Sequence, residues 1–258
     1  MSFLVSPSPS RIRAEIAIVL GLSLGLSALY ALVGIVKRLS VDTPLSEQTA
    51  TINRSLAEQP WFDLTYQLLG IVGALAPVAL VMFLLWSRDR PNLISVGVDG
   101  HRVGRDSAVG VGLAALIGIP GLAVYAGGVA LGITVTVVPT ALENYWWTIP
   151  VLLLRALTAG LVEETIAVGY LHNRLSALAF SPFAIVMSQA LLRGTYHLYQ
   201  GFGAFIGNVV MGLIFGWYYH RTRRLVPLIA AHTVIDAVAF VGYPVISDNF
   251  PEILGFAL

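Results

Sequence analysis

The chain of 258 residues is 57 % hydrophobic and only 11 % charged. A soluble domain carries roughly 25 % charge, so this chain cannot cover its own surface in water, and a soluble enzyme or a disordered chain is excluded. Lys plus Arg number 15 and Asp plus Glu 14, a net charge of +1 with no cysteine, which excludes a basic nucleic-acid footprint, disulfides, zinc–thiolate centres, iron–sulfur clusters and cysteine nucleophiles.

Apolar runs of spanning length, in place of the alternating strands of an outer-membrane barrel, predict an all-α, polytopic helical membrane protein. About seven such runs occur, at roughly 15–36, 61–86, 108–135, 148–172, 182–200, 202–219 and 225–243. The first follows Arg11 and Arg13, as in a signal peptide. Ile16 to Val36 is longer than a signal-peptide core of roughly 7–15 residues, and no small-x-small cleavage site follows, so it reads as a retained anchor helix. Within it, Gly21-Leu22-Ser23-Leu24-Gly25 matches the Gly-x-Ser-x-Gly of a hydrolase elbow. An elbow needs a strand–turn–helix, and mid-helix the pattern reads as small-x-x-x-small packing. Gly128/Gly132, Gly203/Gly207 and Gly212/Gly216 read the same way.

Between 37 and 60, Thr43-Pro44 reads as an N-cap with proline at the first helical position, predicting a short helix outside the membrane. The basic 87–107 stretch, rich in glycine and aspartate, separates the first two spans from the last five. Residues 1–147 are expected to supply N-terminal helices and loops, and 148–258 the core helices, of one integral membrane domain.

Cation placement predicts direction. Arg11 and Arg13; Arg88, Arg90, Arg102 and Arg105; Arg174; and Arg221, Arg223 and Arg224 all fall on one side of seven spans. The opposite loops hold Glu143, Asp248 and Glu252, and between 37 and 60 Lys37, Arg38 and Arg54 are offset by Asp42, Glu47 and Glu58. The N-terminus is therefore expected inside and the C-terminus outside. Trp61, Phe62 and Tyr145-Trp146-Trp147 would form the outer aromatic belt, Trp86 and Trp217-Tyr218-Tyr219 the inner one.

Ionisable residues inside apolar runs carry the chemistry. They are Arg155, Glu163, Glu164, Arg193, His197, His232 and Asp236. A charge at the bilayer centre costs about 2.5–3.5 kcal/mol, so the formal charges of this set, left unpaired, would cost roughly 12–17 kcal/mol, as much as a whole fold contributes. They must face one another or a wet cavity. All lie in the last four spans. His232 and Asp236 are one turn apart, as are Arg193 and His197. Glu163 and Glu164 point about 100° apart, so one addresses the reaction centre and the other a structural partner. Measured from the basic side, Glu163 lies at ~14 Å, His232 at ~10 Å and Asp236 at ~16 Å, whereas His197 computes to ~22 Å and needs a tilted or lower-starting helix. Arg155 reads as structural or snorkelling, and His172 and His220 as solvated at the inner face. Tyr196, Gln189 and Asn208 are further candidates for the polar network. Such a set can activate water, bind a metal or relay protons.

At these residues the chain resembles the CPBP family, the CAAX-protease and bacteriocin-processing intramembrane proteases, which includes the Ras-converting prenyl endopeptidase. The family's Glu-Glu-x-x-x-Arg is matched by Glu163-Glu164-Thr165-Ile166-Ala167-Val168, its Phe-x-x-x-His by Arg193-Gly194-Thr195-Tyr196-His197, and its His-x-x-x-Asn/Asp by His232-Thr233-Val234-Ile235-Asp236. Order and spacing match over roughly 150–243. The resemblance implies peptide-bond hydrolysis in the membrane, with Glu163 and His197 polarising water, His232 and Asp236 lining the oxyanion pocket and Glu164 orienting the site. Two departures stand out: Val168 occupies the motif arginine's position and Arg193 the motif phenylalanine's. They compensate if Arg193 pairs with Glu164 from the neighbouring helix.

No cofactor is expected. Were the enzyme metal-dependent, Glu163, His197 and His232 would be the ligands. His-Glu-x-x-His and Gly-x-Gly-Asp are both absent, which argues against zincin-type and presenilin-like proteases. The expected partners are a membrane-associated peptide or protein substrate and the lipid bilayer, with no nucleic acid, and the expected location is a bacterial cytoplasmic membrane. A non-catalytic member that binds or scaffolds a partner is the alternative reading. A proton-coupled carrier is a third, although paired broken helices in two similar halves are missing.

Overall fold

A computed structural model describes residues 7–86 and 92–245. The expected loop cations Arg88 and Arg90 and the tail acids Asp248 and Glu252 lie outside the described residues. Ser8 caps the first helix by accepting from the Arg11 amide, and Pro9 sits in its first turn. This helix, α1 (Pro9–Gly21), is followed by α2 (Leu24–Leu39), bent from it by 56°. The single anchor helix expected over 15–36 is thus two helices. Gly21 and Gly25 do not form a packing stripe: a Cβ on Gly21 would meet nothing within 4 Å, and one on Gly25 would clash with Leu20 at the end of α1, across the bend. They flank the break.

The helix expected between 37 and 60 is one 3₁₀ turn, Leu45–Glu47, followed by strand β1 (Thr49–Arg54). Thr49-Ala-Thr-Ile-Asn-Arg buries Ala50 and Asn53 in extended geometry. Its partner β2 (Thr136–Ala141) runs parallel, with Thr49 opposite Thr136 and Asn53 opposite Thr140. Two long helices intervene: α3 (Pro60–Leu84) and, after the one-turn α4 (Asn92–Ser95), α5 (Val103–Ala130). The span expected over 108–135 therefore stops early, because Gly132 turns the chain at φ +71° and releases it into β2.

The second half begins with α6 (Thr148–Glu163), which continues without a break through a π-helical segment, Glu164–Tyr170, into α7 (Leu171–Ala177). Then come α8 (Pro182–His197), α9 (Phe202–Thr222) and α10 (Val226–Ala237), which continues in a second π segment, Val238–Gly242. Among the described residues four helical stretches are long and apolar enough to cross a membrane: Pro60–Leu84, Gly100–Ala130, Phe202–Thr222 and Val226–Val245; the bent α1–α2 pair adds a fifth. Of the other expected spans, α6–α7 carries Arg155, Glu163 and Glu164, and α8 has 16 residues, ~24 Å at 1.5 Å per residue.

Two ends of the bundle are locked by polar contacts. At the sheet end, Arg155 Nε donates to Gln67 Oε1 at 2.8 Å, and Gln67 donates to Asp63 at 2.9 Å. That gives Arg155 a structural role. At the basic end, Arg174 donates to Glu15 at 2.6 Å and to the Leu84 carbonyl at 2.8 Å. Arg224 grips Asp99 at 2.9 and 3.0 Å and Asp106 at 2.9 Å. This guanidinium, with the His101 amide, lowers the Asp99 carboxyl to about 2. His172, expected solvated, is fully buried with no hydrogen-bond partner on either ring nitrogen. Trp61, Phe62 and Trp146 stand exposed at the sheet end and Trp86 and Trp217 at the basic end, but Trp147 and Tyr219 of the expected belts are buried.

Polarity is inverted relative to a soluble protein. Ile119 is 70 % exposed and Val72 67 %, while Arg193 is 1 % and Glu164 0 %. Apolar surface without and paired charge within suit a hydrocarbon solvent.

Candidate active site

Three helices bring the polar residues together, and small residues let them approach. A Cβ on Gly160 of α6 would lie 3.0 Å from the Ile229 carbonyl and 2.8 Å from Thr233 Oγ1 of α10. Gly212 and Gly216 of α9 pack on Ala190 and Gln189 of α8, as their spacing predicted. Gly128 and Gly203 meet each other and Thr134, whereas a Cβ on Gly207 would only graze Val124 at 3.9 Å.

Glu163 ends α6 and Glu164 opens the π segment. A π turn inserts an extra residue, and such bulges are frequent at functional sites. Gln189 of α8 donates to the Val168 carbonyl in the bulge at 2.9 Å, tying it to the neighbouring helix. Asn208, the other amide considered, bonds only within its own helix, to the Ala204 carbonyl.

The two glutamates have separate surroundings. Glu164 is fully buried; its Oε1 accepts from Arg193 Nη2 at 2.5 Å and lies 2.6 Å from His232 Nδ1. The pairing expected between Arg193 and Glu164 is therefore present. The Arg193 guanidinium also lies 5.4 Å from the Phe215 ring centroid, so both its charge and its face are occupied. With Nδ1 against Glu164, Nε2 of His232 faces Asp236 Oδ2 at 3.5 Å and Glu163 Oε2 at 3.9 Å. Glu163 Oε2 accepts from the Tyr196 hydroxyl at 2.6 Å and lies 3.7 Å from His197 Nε2 and 3.5 Å from Arg193 Nη1.

His197, at the last residue of α8, thus reaches the level of Glu163 and His232. Both its ring nitrogens are buried without a hydrogen-bond partner, as is Glu164 Oε2. Buried polar atoms of this kind call for a partner. Around Glu163 they form a cluster of one free carboxylate edge and two imidazoles, with an arginine behind it. Such a cluster can orient a water, accept its proton and offer a donor to a developing negative charge. Among the described residues no group of three or more His, Asp and Glu side chains is arranged to hold a metal ion.

Tyr196 also lines a cleft of about 270 Å³ with Ser27, Tyr30, Ala31 and Tyr199, between α2 and α8. All the sequence-predicted residues, Glu163, Glu164, Arg193, His197, His232 and Asp236, lie in this one centre. Sequence reasoning left open the tyrosine that bonds Glu163, and it missed the π segment altogether. Neither has a compositional signal: a bulge adds one residue to a turn without changing residue type.

Residues 145–238 match the family model described as type II CAAX prenyl endopeptidase Rce1-like. The match holds every residue of the centre. The match is with a family of proteases and supports the resemblance to the CAAX-protease family that the motifs carry. No curated protein and no solved structure matches the chain.

Proposed function

We propose that the chain is an intramembrane endopeptidase that hydrolyses a peptide bond in a membrane-associated protein or peptide. The observation that carries this reading is the division of labour between adjacent glutamates. Glu164 is locked by Arg193 and His232, while Glu163 faces His197, His232 and Tyr196 and is slightly open, its side chain 14 % exposed. In this reading a water held by Glu163 and His197 attacks the scissile carbonyl carbon and gives its proton to Glu163. The oxyanion forms beside His232, whose Nε2, when protonated, is the donor aimed at it. Glu164 orients that ring through Nδ1, and Asp236 lines the same pocket. Glu163 then passes its proton to the leaving nitrogen as the C–N bond breaks, leaving a carboxylic acid and an amine and returning Glu163 to its carboxylate form.

The proposed topology has seven spans, the N-terminus inside and the C-terminus outside, in a bacterial cytoplasmic membrane. Residues 148–258 form the catalytic core in this reading, and no metal takes part.

The test is cleavage of quenched peptides with apolar C-termini by purified protein in detergent. Wild type is expected to cleave with or without chelator. Glu163→Ala and His232→Ala, both folded, are expected to lose about 10²–10⁴-fold in rate. Unchanged cleavage by Glu163→Ala overturns the reading. Loss of wild-type cleavage with chelator replaces it by a metal mechanism on Glu163, His197 and His232. No cleavage by any folded form favours the binding-only alternative, for which Val168 at the motif arginine's position is the specific observation.

A further inference from the structure

We propose that Tyr196 is a positioning residue of this site, which pins one oxygen of Glu163 so that the other takes the proton of the attacking water. The proposal rests on the reading of Glu163 as the base. The Tyr196 hydroxyl donates to Glu163 Oε2 at 2.6 Å from a side chain on a different helix. Arg193, His197 and His232 crowd the same oxygen at 3.5–3.9 Å. Among the described residues nothing hydrogen-bonds Glu163 Oε1. One carboxylate oxygen is therefore anchored and the other is free.

The tyrosine is itself held in place. It is 5 % exposed, and its ring lies 4.8 Å from that of His197, tilted by 45°. One side chain thereby sets both members of the water-activating pair. Its ring also walls the cleft formed with Ser27, Tyr30, Ala31 and Tyr199, so it stands between that opening and the carboxylate. A glutamate has several side-chain torsions, and a base that swings by 1 Å loses on the order of 10²-fold in rate.

Tyr196→Phe keeps the ring and removes only the hydroxyl. In the quenched-peptide assay, at a temperature where thermal unfolding shows both forms folded, kcat is expected to fall roughly 10–100-fold with KM within about twofold of wild type. In a Glu163→Gln background the same change is expected to add no further loss, because the phenol acts through that carboxylate. Unchanged kcat in Tyr196→Phe, a change confined to KM, or the same fold-loss on top of Glu163→Gln would each overturn the proposal and leave the protease reading standing. Absence of cleavage by wild type, or full cleavage by Glu163→Gln, overturns the protease reading and the proposal with it.

Discussion

Arg193 is a residue whose loss the centre tolerates poorly. It is a fully buried cation with a fully buried carboxylate as partner. A buried pair contributes little over an apolar replacement of equal shape, but removing one partner leaves an uncompensated charge and costs about 3–5 kcal/mol. Arg193→Ala is therefore expected to lower unfolding free energy by about that amount, measured by denaturant titration in detergent. Val168→Arg in the same background is expected to return part of the loss, since residue 168 lies about one helical turn beyond Glu164. No recovery would show that a cation from α8 cannot be exchanged for one within the motif. This pairing was legible in sequence, because a missing arginine and an unexpected arginine were both visible in the motifs. The bond from Tyr196 to Glu163 was not, since a tyrosine in an apolar helix has many bland uses.

At the scale of elements, the site depends on how closely α10 approaches α6. Gly160 marks that contact, and the atom facing it includes the backbone carbonyl of Ile229, which cannot rotate away. Gly160→Ala is expected to push the helices apart, destabilise the protein by about 1–3 kcal/mol and slow cleavage by moving His232 off Glu163. A variant with unchanged melting and unchanged rate would show that α10 has slack at this point. Helix existence was legible from apolar runs. Helix continuity was not: the expected first span bends by 56°, and the helix expected after Thr43-Pro44 is mostly a strand. Strand β1 finds its hydrogen bonds in β2, beyond two long intervening helices, and no local pattern encodes a partner that distant.

Taken whole, the molecule alternates between a basic end and a sheet end. The basic end holds Arg174, Arg221, Arg223 and Arg224, and the sheet end the β1–β2 pair with Asp63 and Glu143. The absence of cysteine makes the proposed topology directly testable. Ser55 and Ser176 are both exposed and lie at opposite ends. Ser55→Cys is expected to react with a membrane-impermeant maleimide added to intact bacterial cells, and Ser176→Cys only after the cells are permeabilised. The reverse pattern would invert the proposed orientation, and equal labelling of both would deny the spans between them.

The sequence by itself determined the solvent and which charged residues must gather within it. Its apolar bulk requires a hydrocarbon surround, and charges too costly to leave unpaired in that surround must gather, which singled out Glu163, Glu164, Arg193, His197, His232 and Asp236. Only the tertiary structure decided which glutamate is locked and which is open. Neighbouring positions on one helix are equivalent until other helices supply partners. Arg193 and His232 reach Glu164, Tyr196 and His197 reach Glu163, and contacts from α8 and α10 are long-range facts that no run of residues within α6 contains.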